Sequence, residues 1–382
     1  MKISAVSTLT VFAQWRNWVL VKISTDEGLE GWGEATVEGR EKAVAAAVQE
    51  VGRRIIGRHP LDIEALYQVM SRSSFWRGGV ILGSAVSGLE QALWDLAGQH
   101  YGVPVYRLLG GPCRDKVRVY ASGWIQPGDD TVDKLVSRAR QTVNQGFQAL
   151  KTPCFLPGEK TVDRGMLERG LDLVGELRSA LGDEVEIIVE LHGRFSFDLA
   201  RQAVQRLQAL DPAWIEEPCG PENVENLKLL AGESQCPIAC GERLFTRHGF
   251  WPVIRDRAAS VIQPDLCHAG GIWETRKVAA MAEVRDIAVA PHNPLSPLST
   301  AACLHFAIAT PNFLVLELVP KDVDWREQVF PETLYRFEDG HLHWRDVPGI
   351  GVTVDEEAAA EHPYQAVDLP VLKTADGAHA DW

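Results

Sequence analysis

The sequence predicts an α/β protein whose larger part is a β/α barrel of the (β/α)7β kind, joined to a separate α+β unit. From Val117 onward, short runs rich in β-branched residues alternate with amphipathic segments, a pattern typical of βα units and a parallel sheet. A chain of 382 residues can hold one barrel of about 250 residues and leaves about 130 for another unit. Before Val117 the chain mixes strand and helix patterns without this alternation.

Eight strands are expected in the barrel part, with helical segments in the seven intervals between them. The strands lie at residues 117–121, 149–151, 186–191, 213–217, 238–242, 261–265, 287–292 and 313–318. Eight parallel strands of this kind close most readily into a barrel, and a (β/α)7β variant results because no helix is expected directly after the last strand. We therefore expect the α+β unit at residues 1–115, the barrel at 116–325 and an appended segment at 326–382.

The α+β unit begins with a hairpin signature. Val19–Ser24 and Leu29–Gly33 are strand-like runs on either side of the turn-forming sequence Asp26-Glu27-Gly28. Apolar residues then recur at helical spacing over residues 41–56 and 84–100. These patterns predict a small unit that combines a hairpin with helices.

Composition and charge exclude several classes of function. No run approaches the roughly 18 apolar residues of a membrane span, and the formal net charge of -14 would repel nucleic acid and anionic membranes. The seven cysteines form no CxxC pair, and their odd number suits reduced thiols. The amino terminus has no long apolar stretch and no small-residue cleavage site, so we expect a cytoplasmic protein. An anionic small molecule can still be the substrate where a bound metal receives it.

Acidic residues recur where the predicted strands end, together with one histidine. They are Glu190, Glu216, Glu242, Asp265 and Glu317, with His292, and consecutive members are 23 to 27 residues apart. Because this spacing equals one βα unit, all six side chains are expected at the carboxyl-terminal rim, where the active sites of such barrels lie. A lone acidic residue at a strand end is usually a helix N-cap or a solvated charge, but five in phase favour a functional site.

The residue types suggest roles within this group. Three carboxylates at one point repel one another unless a divalent cation neutralises them, and an oxygen-only ligand set favours Mg2+ or Mn2+ over zinc. Glu190 and His192 stand two apart on one predicted strand, so both are expected to face inward, with the imidazole as a candidate proton donor. Asp265 ends the strand before that of His292, and a neighbouring carboxylate would orient this imidazole and raise its basicity. The pair is therefore expected to act as an oriented base.

Longer motifs extend over nearly the whole chain. The segments are Thr25-Asp26-Glu27-Gly28, Gly31-Trp32-Gly33-Glu34, Arg77-Gly78-Gly79, Gln91-Ala92-Leu93-Trp94-Asp95, Ile215-Glu216-Glu217-Pro218, Gly241-Glu242-Arg243, Gln263-Pro264-Asp265-Leu266, His268-Ala269-Gly270-Gly271 and Ala290-Pro291-His292. With these segments the sequence resembles the mandelate racemase subgroup of the enolase superfamily, and more closely its galactonate dehydratase-like members. Residues 348–352 also resemble the closing strand with which this family returns to its capping domain.

The resemblance implies a metal site and a set of catalytic residues. Glu216 and Glu242 would be metal ligands, with Glu190 at the position of the first ligand. Asp265 and His292 would form the dyad, Glu317 would lie near the substrate carboxylate, and His192 matches a histidine of the galactonate dehydratase-like proteins. The capping domain implied here corresponds to the α+β unit.

Two positions depart from the family pattern. Glu190 stands where the family usually has aspartate, so its longer side chain must fold back or the metal must shift. Racemases of the group carry a second basic residue two positions after the lysine that matches Lys151, and here that position is Pro153.

The activity that the resemblance implies is the magnesium-dependent dehydration of a sugar acid, an aldonate such as galactonate, to a 2-keto-3-deoxy acid. His292 would remove the α-proton, the metal would stabilise the enediolate, and His192 would protonate the departing β-hydroxyl. Loops near residues 15–18 and 75–79 would close over the site and select the polyol. Two alternatives stay open: a racemase, epimerase or cycloisomerase on the same fold, and a low-activity homologue that binds metal or sugar acid without useful turnover. A homo-oligomer is expected, because barrels of this group tend to form symmetric assemblies.

Overall fold

An antiparallel three-stranded sheet and four helices form the amino-terminal part of the protein. The computed structural model describes residues 1–320 and 322–381. The strands are β1 (Ile3–Ala13), β2 (Arg16–Thr25) and β3 (Glu30–Glu34), and the helices are α1 (Glu41–Gly52), α2 (Ile63–Arg72), α3 (Gly79–Tyr101) and α4 (Val105–Leu108). The predicted hairpin is confirmed as β2 and β3. Both predicted helices are present, the first shorter and the second longer than expected.

Close packing of the sheet on α3 explains the Gly31-Trp32-Gly33 motif. A Cβ atom at Gly31 would collide with the backbone carbonyl of Ala92, and one at Gly33 with that of Gly88. Only glycine therefore lets β3 approach the helix so closely. The sheet and helices α1 to α3 bury a hydrophobic core of their own.

Eight parallel strands form the second part of the protein. They are β4 (Val117–Ala121), β5 (Ala149–Pro153), β6 (Glu186–Glu190), β7 (Trp214–Glu216), β8 (Ile238–Cys240), β9 (Val261–Ile262), β10 (Ala288–Val289) and β11 (Leu316–Leu318). From β4 to β10 each strand pairs with the next in chain order, and β11 pairs with β4. A parallel bridge between Val289 and Phe313 joins β10 to the segment before β11, so the ring of strands returns to its start. The predicted eight-stranded architecture is confirmed, although the later strands are shorter than predicted.

Seven helices alternate with these strands, as the (β/α)7β prediction requires. They are α5 (Val132–Asn144), α6 (Arg164–Leu181), α7 (Phe197–Leu207), α8 (Val224–Glu233), α9 (Thr246–Asp256), α10 (Gly271–Glu283) and α11 (Pro297–Ala309), with a short 3-10 turn, Gln208–Leu210, after α7. Helix α11 is buried along its whole length, because it packs against β4 and β11 and also against β3 and α4 of the amino-terminal part. None of the helices within residues 1–320 and 322–381 combines the length and apolar character needed to cross a membrane.

The carboxyl-terminal segment lies against both parts. It contains α12 (Arg326–Val329), β12 (Tyr335–Glu338), β13 (His341–Trp344) and α13 (Glu356–Ala360). Strands β12 and β13 form a hairpin that pairs with the beginning of β4, an element absent from the predicted set. Residues 348–352, expected as a closing strand, form only isolated bridges. They still return to the amino-terminal part, because the backbone N–H of Ile350 donates a hydrogen bond to Asp95 on α3 at 2.8 Å.

Candidate active site

The charged residues singled out in the sequence lie at the carboxyl-terminal rim of the barrel. Glu190 and Glu216 end β6 and β7 and are paired across that ladder, and Glu317 lies within β11. The other three lie in the loops just after β8, β9 and β10, because those strands end earlier than predicted; they are Glu242, Asp265 and His292. The recurrence of one charged residue in each βα unit therefore does bring the six residues to the same rim.

Three of the carboxylates form a cluster with the geometry of a metal site. Oxygen atoms of Glu190, Glu216 and Glu242 lie within 4.8 Å of one another. Glu190 and Glu216 are buried and Glu242 is partly exposed, so like charges crowd together with little water to screen them. Carboxylate oxygens arranged in this way suit a divalent cation such as Mg2+ or Mn2+, which would neutralise the repulsion. The donor set therefore fits the metal that the family resemblance implies.

Crowding within the cluster affects the pKa values of two of its members. Burial, followed by the charge of Glu216, raises the pKa of Glu190 well above its ordinary value. Burial would also raise the pKa of Glu216, but the ammonium group of Lys151 holds it below its ordinary value. Without a cation the close approach of these two carboxylates is therefore unfavourable, and a divalent cation bound between them would relieve it.

The two carboxylate oxygens of Glu190 make different contacts. Oε1 accepts a hydrogen bond from the backbone N–H of His192 at 2.7 Å, while Oε2 stays beside the cluster, 3.6 Å from Lys151 Nζ. One oxygen of this carboxylate is therefore held by the backbone, and the other faces the cluster. Glu190 thereby keeps an oxygen within reach of the other two carboxylates.

A buried lysine, Lys151 on β5, completes the cluster. Its Nζ lies 2.7 Å from Glu216 Oε1 and 3.1 Å from Glu317 Oε1. Burial opposes its charge, but these carboxylates raise the pKa of Lys151 well above its ordinary value. In the sequence this residue stood out only as the lysine before Pro153. Its place in an apolar strand is the signal that could have assigned it to the site, because a buried lysine needs a carboxylate partner.

Asp265 and His292 form a hydrogen-bonded pair beside the carboxylate cluster. His292 Nδ1 lies 2.7 Å from Asp265 Oδ2, and Nε2 faces Glu242 Oε2 at 3.5 Å. Asp265 Oδ1 accepts a hydrogen bond from the Cys267 N–H at 2.6 Å, which fixes the plane of the carboxylate. Burial opposes the protonation of His292, but Glu242, Glu317 and Asp265 raise its pKa to about 10. The Nε2 atom therefore faces the carboxylate cluster.

Glu317 joins the buried lysine to the loop that carries His292. Its Oε2 accepts a hydrogen bond from the backbone N–H of Asn293 at 2.9 Å, and its Oε1 faces Lys151. The side chain of Asn293 donates a second hydrogen bond to the backbone carbonyl of Glu317 at 3.0 Å. Glu317 is fully buried, so it holds the His292 loop against β11.

The expected position of His192 on a strand is wrong. Strand β6 ends at Glu190, and His192 has a left-handed backbone with a φ of 53°, a conformation that residues other than glycine rarely adopt. Its imidazole packs beside Phe155, with ring centroids 5.6 Å apart. Burial, followed by the charge of Arg194, lowers the pKa of His192 well below its ordinary value. The free protein therefore holds this imidazole neutral at pH 7.

Known proteins of one superfamily match both the amino-terminal part and the barrel part of the chain. The family model described as "Mandelate racemase / muconate lactonizing enzyme, N-terminal domain" matches residues 4–110, and that described as "Enolase C-terminal domain-like" matches residues 134–358. The D-galactonate dehydratases of Pectobacterium atrosepticum and Ralstonia pickettii are 38% and 39% identical, over 99% of this chain and 100% of each relative.

Solved structures with the same architecture cover nearly all of the chain. A member of the enolase superfamily from Salmonella Typhimurium has a TM-score of 0.88 at 32% identity, over 95% of this chain and 98% of that one. A mandelate racemase/muconate lactonizing enzyme from Sulfitobacter sp. has a TM-score of 0.90 at 32% identity, over 100% of both chains.

Proposed function

Since the chain belongs to the mandelate racemase/muconate lactonizing enzyme family of the enolase superfamily, we propose that it removes water from a sugar acid. The substrate would be an aldonate such as galactonate, and the product a 2-keto-3-deoxy acid. The observation that carries this proposal is the Asp265–His292 pair, whose Nε2 faces the carboxylate cluster at 3.5 Å from Glu242. Relatives named D-galactonate dehydratase that align over their full length support the same reaction class.

The carboxylates of Glu190, Glu216 and Glu242 would hold a divalent cation, Mg2+ with Mn2+ as the alternative. Bound there, such a cation supplies Lewis-acid stabilisation of the negative charge that develops on the substrate carboxylate when the α-proton leaves. Glu317 and Lys151, which lie 3.1 Å apart, would border the same substrate carboxylate.

His292 is the proposed base. Its Nδ1 is held by Asp265, so the second ring nitrogen, Nε2, is the one that takes the proton from C2. The charge of Glu242 is the largest influence that raises the pKa of His292. Once a cation neutralises Glu242, that influence weakens, and the imidazole comes closer to the neutral form that a base requires.

His192 is the proposed acid for the hydroxyl that leaves C3. The neutral imidazole of the free protein must first gain a proton, and the anionic substrate favours this because it adds negative charge beside the ring. The hydrogen bond from the His192 N–H to Glu190 ties the backbone of this residue to the first metal ligand. Departure of water leaves an enol, which takes a proton at C3 as it becomes the 2-keto acid.

A buried arginine of the amino-terminal part is suited to bind the polyol. Arg16 is fully buried, and its Nη2 donates to Asp322 at 2.8 Å and to the carbonyl of Leu295 at 3.4 Å, in the loops after β11 and β10. Within the part of the chain that the structure describes, Nε and Nη1 of Arg16 have no acceptor. Buried donors without a partner are costly, and hydroxyl groups of a sugar acid would supply acceptors.

Replacing Arg16 by lysine is expected to raise KM for the aldonate about 10- to 100-fold with kcat changed less than about 3-fold. The ammonium group can keep the pair with Asp322 but loses the two unpartnered N–H groups, a loss of about 1 to 3 kcal/mol in binding. Steady-state kinetics measure the split. Arg326→Lys is the matched control, because Arg326 also faces Asp322, at 3.8 Å. An unchanged KM in Arg16→Lys would remove Arg16 from the substrate site.

The experiment that tests the proposed function is a screen of aldonates, including galactonate, gluconate and mannonate, with Mg2+ and detection of 2-keto acids. We expect at least one aldonate to give product, with the signal lost on addition of a chelator and restored by excess Mg2+. No product from any acid of the library would contradict dehydration.

The residues of the site give less support to the two alternatives, a racemase and a homologue without useful turnover. Racemisation needs a second base on the opposite face of the substrate, and the position used by racemases is Pro153, which has no ionisable group. A homologue without useful turnover would follow from a displaced ligand at Glu190, but this carboxylate remains within 4.8 Å of the other two. All seven cysteines are free thiols, in keeping with the cytoplasmic location that we propose. We also propose a symmetric homo-oligomer, because barrels of this group tend to form symmetric assemblies.

A further inference from the structure

Helix α3 is hydrogen-bonded along its length to the loop that carries Asp265. The Gly270 N–H donates to Ser87 Oγ at 2.9 Å, and the N–H groups of Ile272 and Trp273 donate to Glu90 at 2.7 and 2.9 Å. The next residue of the helix, Gln91, donates through its side-chain amide to the carbonyl of Leu266 at 3.0 Å. The segment from Asp265 to Trp273 is therefore fixed to the amino-terminal part of the protein.

One of these contacts reaches the Asp265–His292 pair. Ser84 Oγ on α3 lies 2.8 Å from His268 Nδ1, and the other nitrogen of the ring, Nε2, lies 3.6 Å from Asp265 Oδ2. That oxygen is the one bonded to His292 Nδ1. Asp265 thus lies between two imidazoles, one facing the substrate position and one held by α3.

The direction of the Ser84 hydroxyl proton decides whether His268 Nε2, the nitrogen that faces Asp265, carries a proton. Ser84 Oγ is also 2.7 Å from the carbonyl of Val80. When the hydroxyl proton points to Val80, Nδ1 must be the protonated nitrogen of a neutral His268, and a lone pair faces Asp265. When it points to Nδ1, the proton of His268 is on Nε2 and faces the carboxylate. The second arrangement is the favourable one electrostatically, because Asp265 is an anion.

We propose that His268 is a positioning residue for the Asp265–His292 base, and that Ser84 of α3 holds it in that role. The inference rests on the proposed function of His292 as the base. Asp265 Oδ1 accepts a hydrogen bond from the Cys267 N–H, and Oδ2 is bonded to His292 Nδ1. His268 Nε2 faces the same Oδ2 at 3.6 Å, where a proton on Nε2 favours this orientation of the carboxylate electrostatically. Because α3 holds His268, the orientation of Asp265 depends on how the amino-terminal part packs against the barrel. The direction of His292 Nε2 depends on it in turn, because Asp265 is bonded to His292 Nδ1.

Four single variants of the full-length protein test this proposal. His268→Asn keeps an amide near the position of Nδ1, where it can still meet Ser84, but it cannot reach Asp265. His268→Gln places an amide N–H near the position of Nε2. Ser84→Ala removes the anchor of His268, and Ser87→Ala is the matched control, because it removes a hydrogen bond between the same helix and the same loop without touching His268.

We expect His268→Asn to lower kcat about 10- to 100-fold, the usual cost of losing a residue that orients a functional group, with KM within about 3-fold. His268→Gln should recover most of this loss, and Ser84→Ala should lower kcat about 3- to 10-fold while Ser87→Ala stays within about 2-fold. Amide hydrogen exchange of the 265–273 peptide, followed by mass spectrometry, should increase similarly in the two serine variants.

Two results would overturn the proposal. If Ser84→Ala and Ser87→Ala lose kcat equally, and amide exchange of the 265–273 peptide rises equally in both, the contacts between α3 and this loop have only a structural role. Failure of His268→Gln to recover activity would show that an N–H group toward Asp265 is not what matters. A wild-type protein that neither dehydrates an aldonate nor exchanges its C2 hydrogen would instead refute the proposed function, so the two failures are distinguishable.

Discussion

Replacing His292 by asparagine is expected to reduce dehydration by about 10² to 10⁴-fold, the usual contribution of a general base. The asparagine amide can still donate to Asp265, so the loop after β10 should keep its conformation, but nothing remains that can take the C2 proton. The rate of 2-keto acid formation and the exchange of the C2 hydrogen with solvent should fall together, because both require proton abstraction.

His341→Asn is the matched control for this variant. His341 lies on β13, which pairs with the beginning of β4 and so lies at the end of the barrel remote from the rim. The variant His341→Asn should therefore leave kcat unchanged. Mg2+ binding should survive in His292→Asn, since the three carboxylates are intact. Turnover in His292→Asn within about 10-fold of wild type would assign the base to another residue.

Replacing Glu190 by glutamine is expected to weaken Mg2+ binding more than about 100-fold. The loss of a residue that only supports a metal ligand costs roughly 10- to 100-fold, and Glu190 is proposed to be a ligand itself. Glutamine keeps one oxygen donor but removes a negative charge from the cluster. The same change relieves the repulsion within the cluster, so the metal-free variant should melt no lower than wild type. Calorimetric titration with Mg2+ measures the affinity, and melting curves with and without Mg2+ measure the stabilisation by metal.

Glu186→Gln is the matched control for the metal prediction. Glu186 begins the same strand, β6, at the opposite end, where it pairs with Arg118 at 2.9 Å. Its loss should leave both Mg2+ affinity and the melting shift unchanged. Equal Mg2+ affinity in Glu190→Gln and wild type would exclude Glu190 as a ligand.

The barrel and the carboxylate cluster could be predicted because one βα unit has a nearly constant length. A charged residue repeated once per unit must return to the same rim, which is why Glu190, Glu216 and Glu242 meet although they are far apart in the chain. The exact ends of the strands could not be predicted in this way. The strands predicted at 261–265 and 287–292 end at Ile262 and Val289, so Asp265 and His292 lie in loops rather than on strands.

Contacts between the two parts of the protein were beyond sequence reasoning. The position of Arg16 depends on the seating of β2 over the loops that contain Leu295 and Asp322, and no spacing rule relates those residues. His268 stood out only because it follows Asp265 closely, and its bond to Ser84 depends on the packing of α3 against the barrel. The left-handed backbone of His192 likewise could not be predicted from its residue type, since only a few per cent of residues other than glycine adopt it.

The most direct test of the proposed reaction is to incubate the wild-type protein with Mg2+ and galactonate in D2O and to follow the mixture by proton NMR. We predict loss of the C2 proton signal together with appearance of a 2-keto-3-deoxy acid that carries one solvent deuterium at C3, because the enol left by dehydration takes its proton there. Exchange of the C2 hydrogen without a keto acid would contradict dehydration and favour a racemase or epimerase. If Mg2+ binds but galactonate and every other aldonate give no exchange and no product, the assignment of Asp265 and His292 as the base for this class of substrate is contradicted.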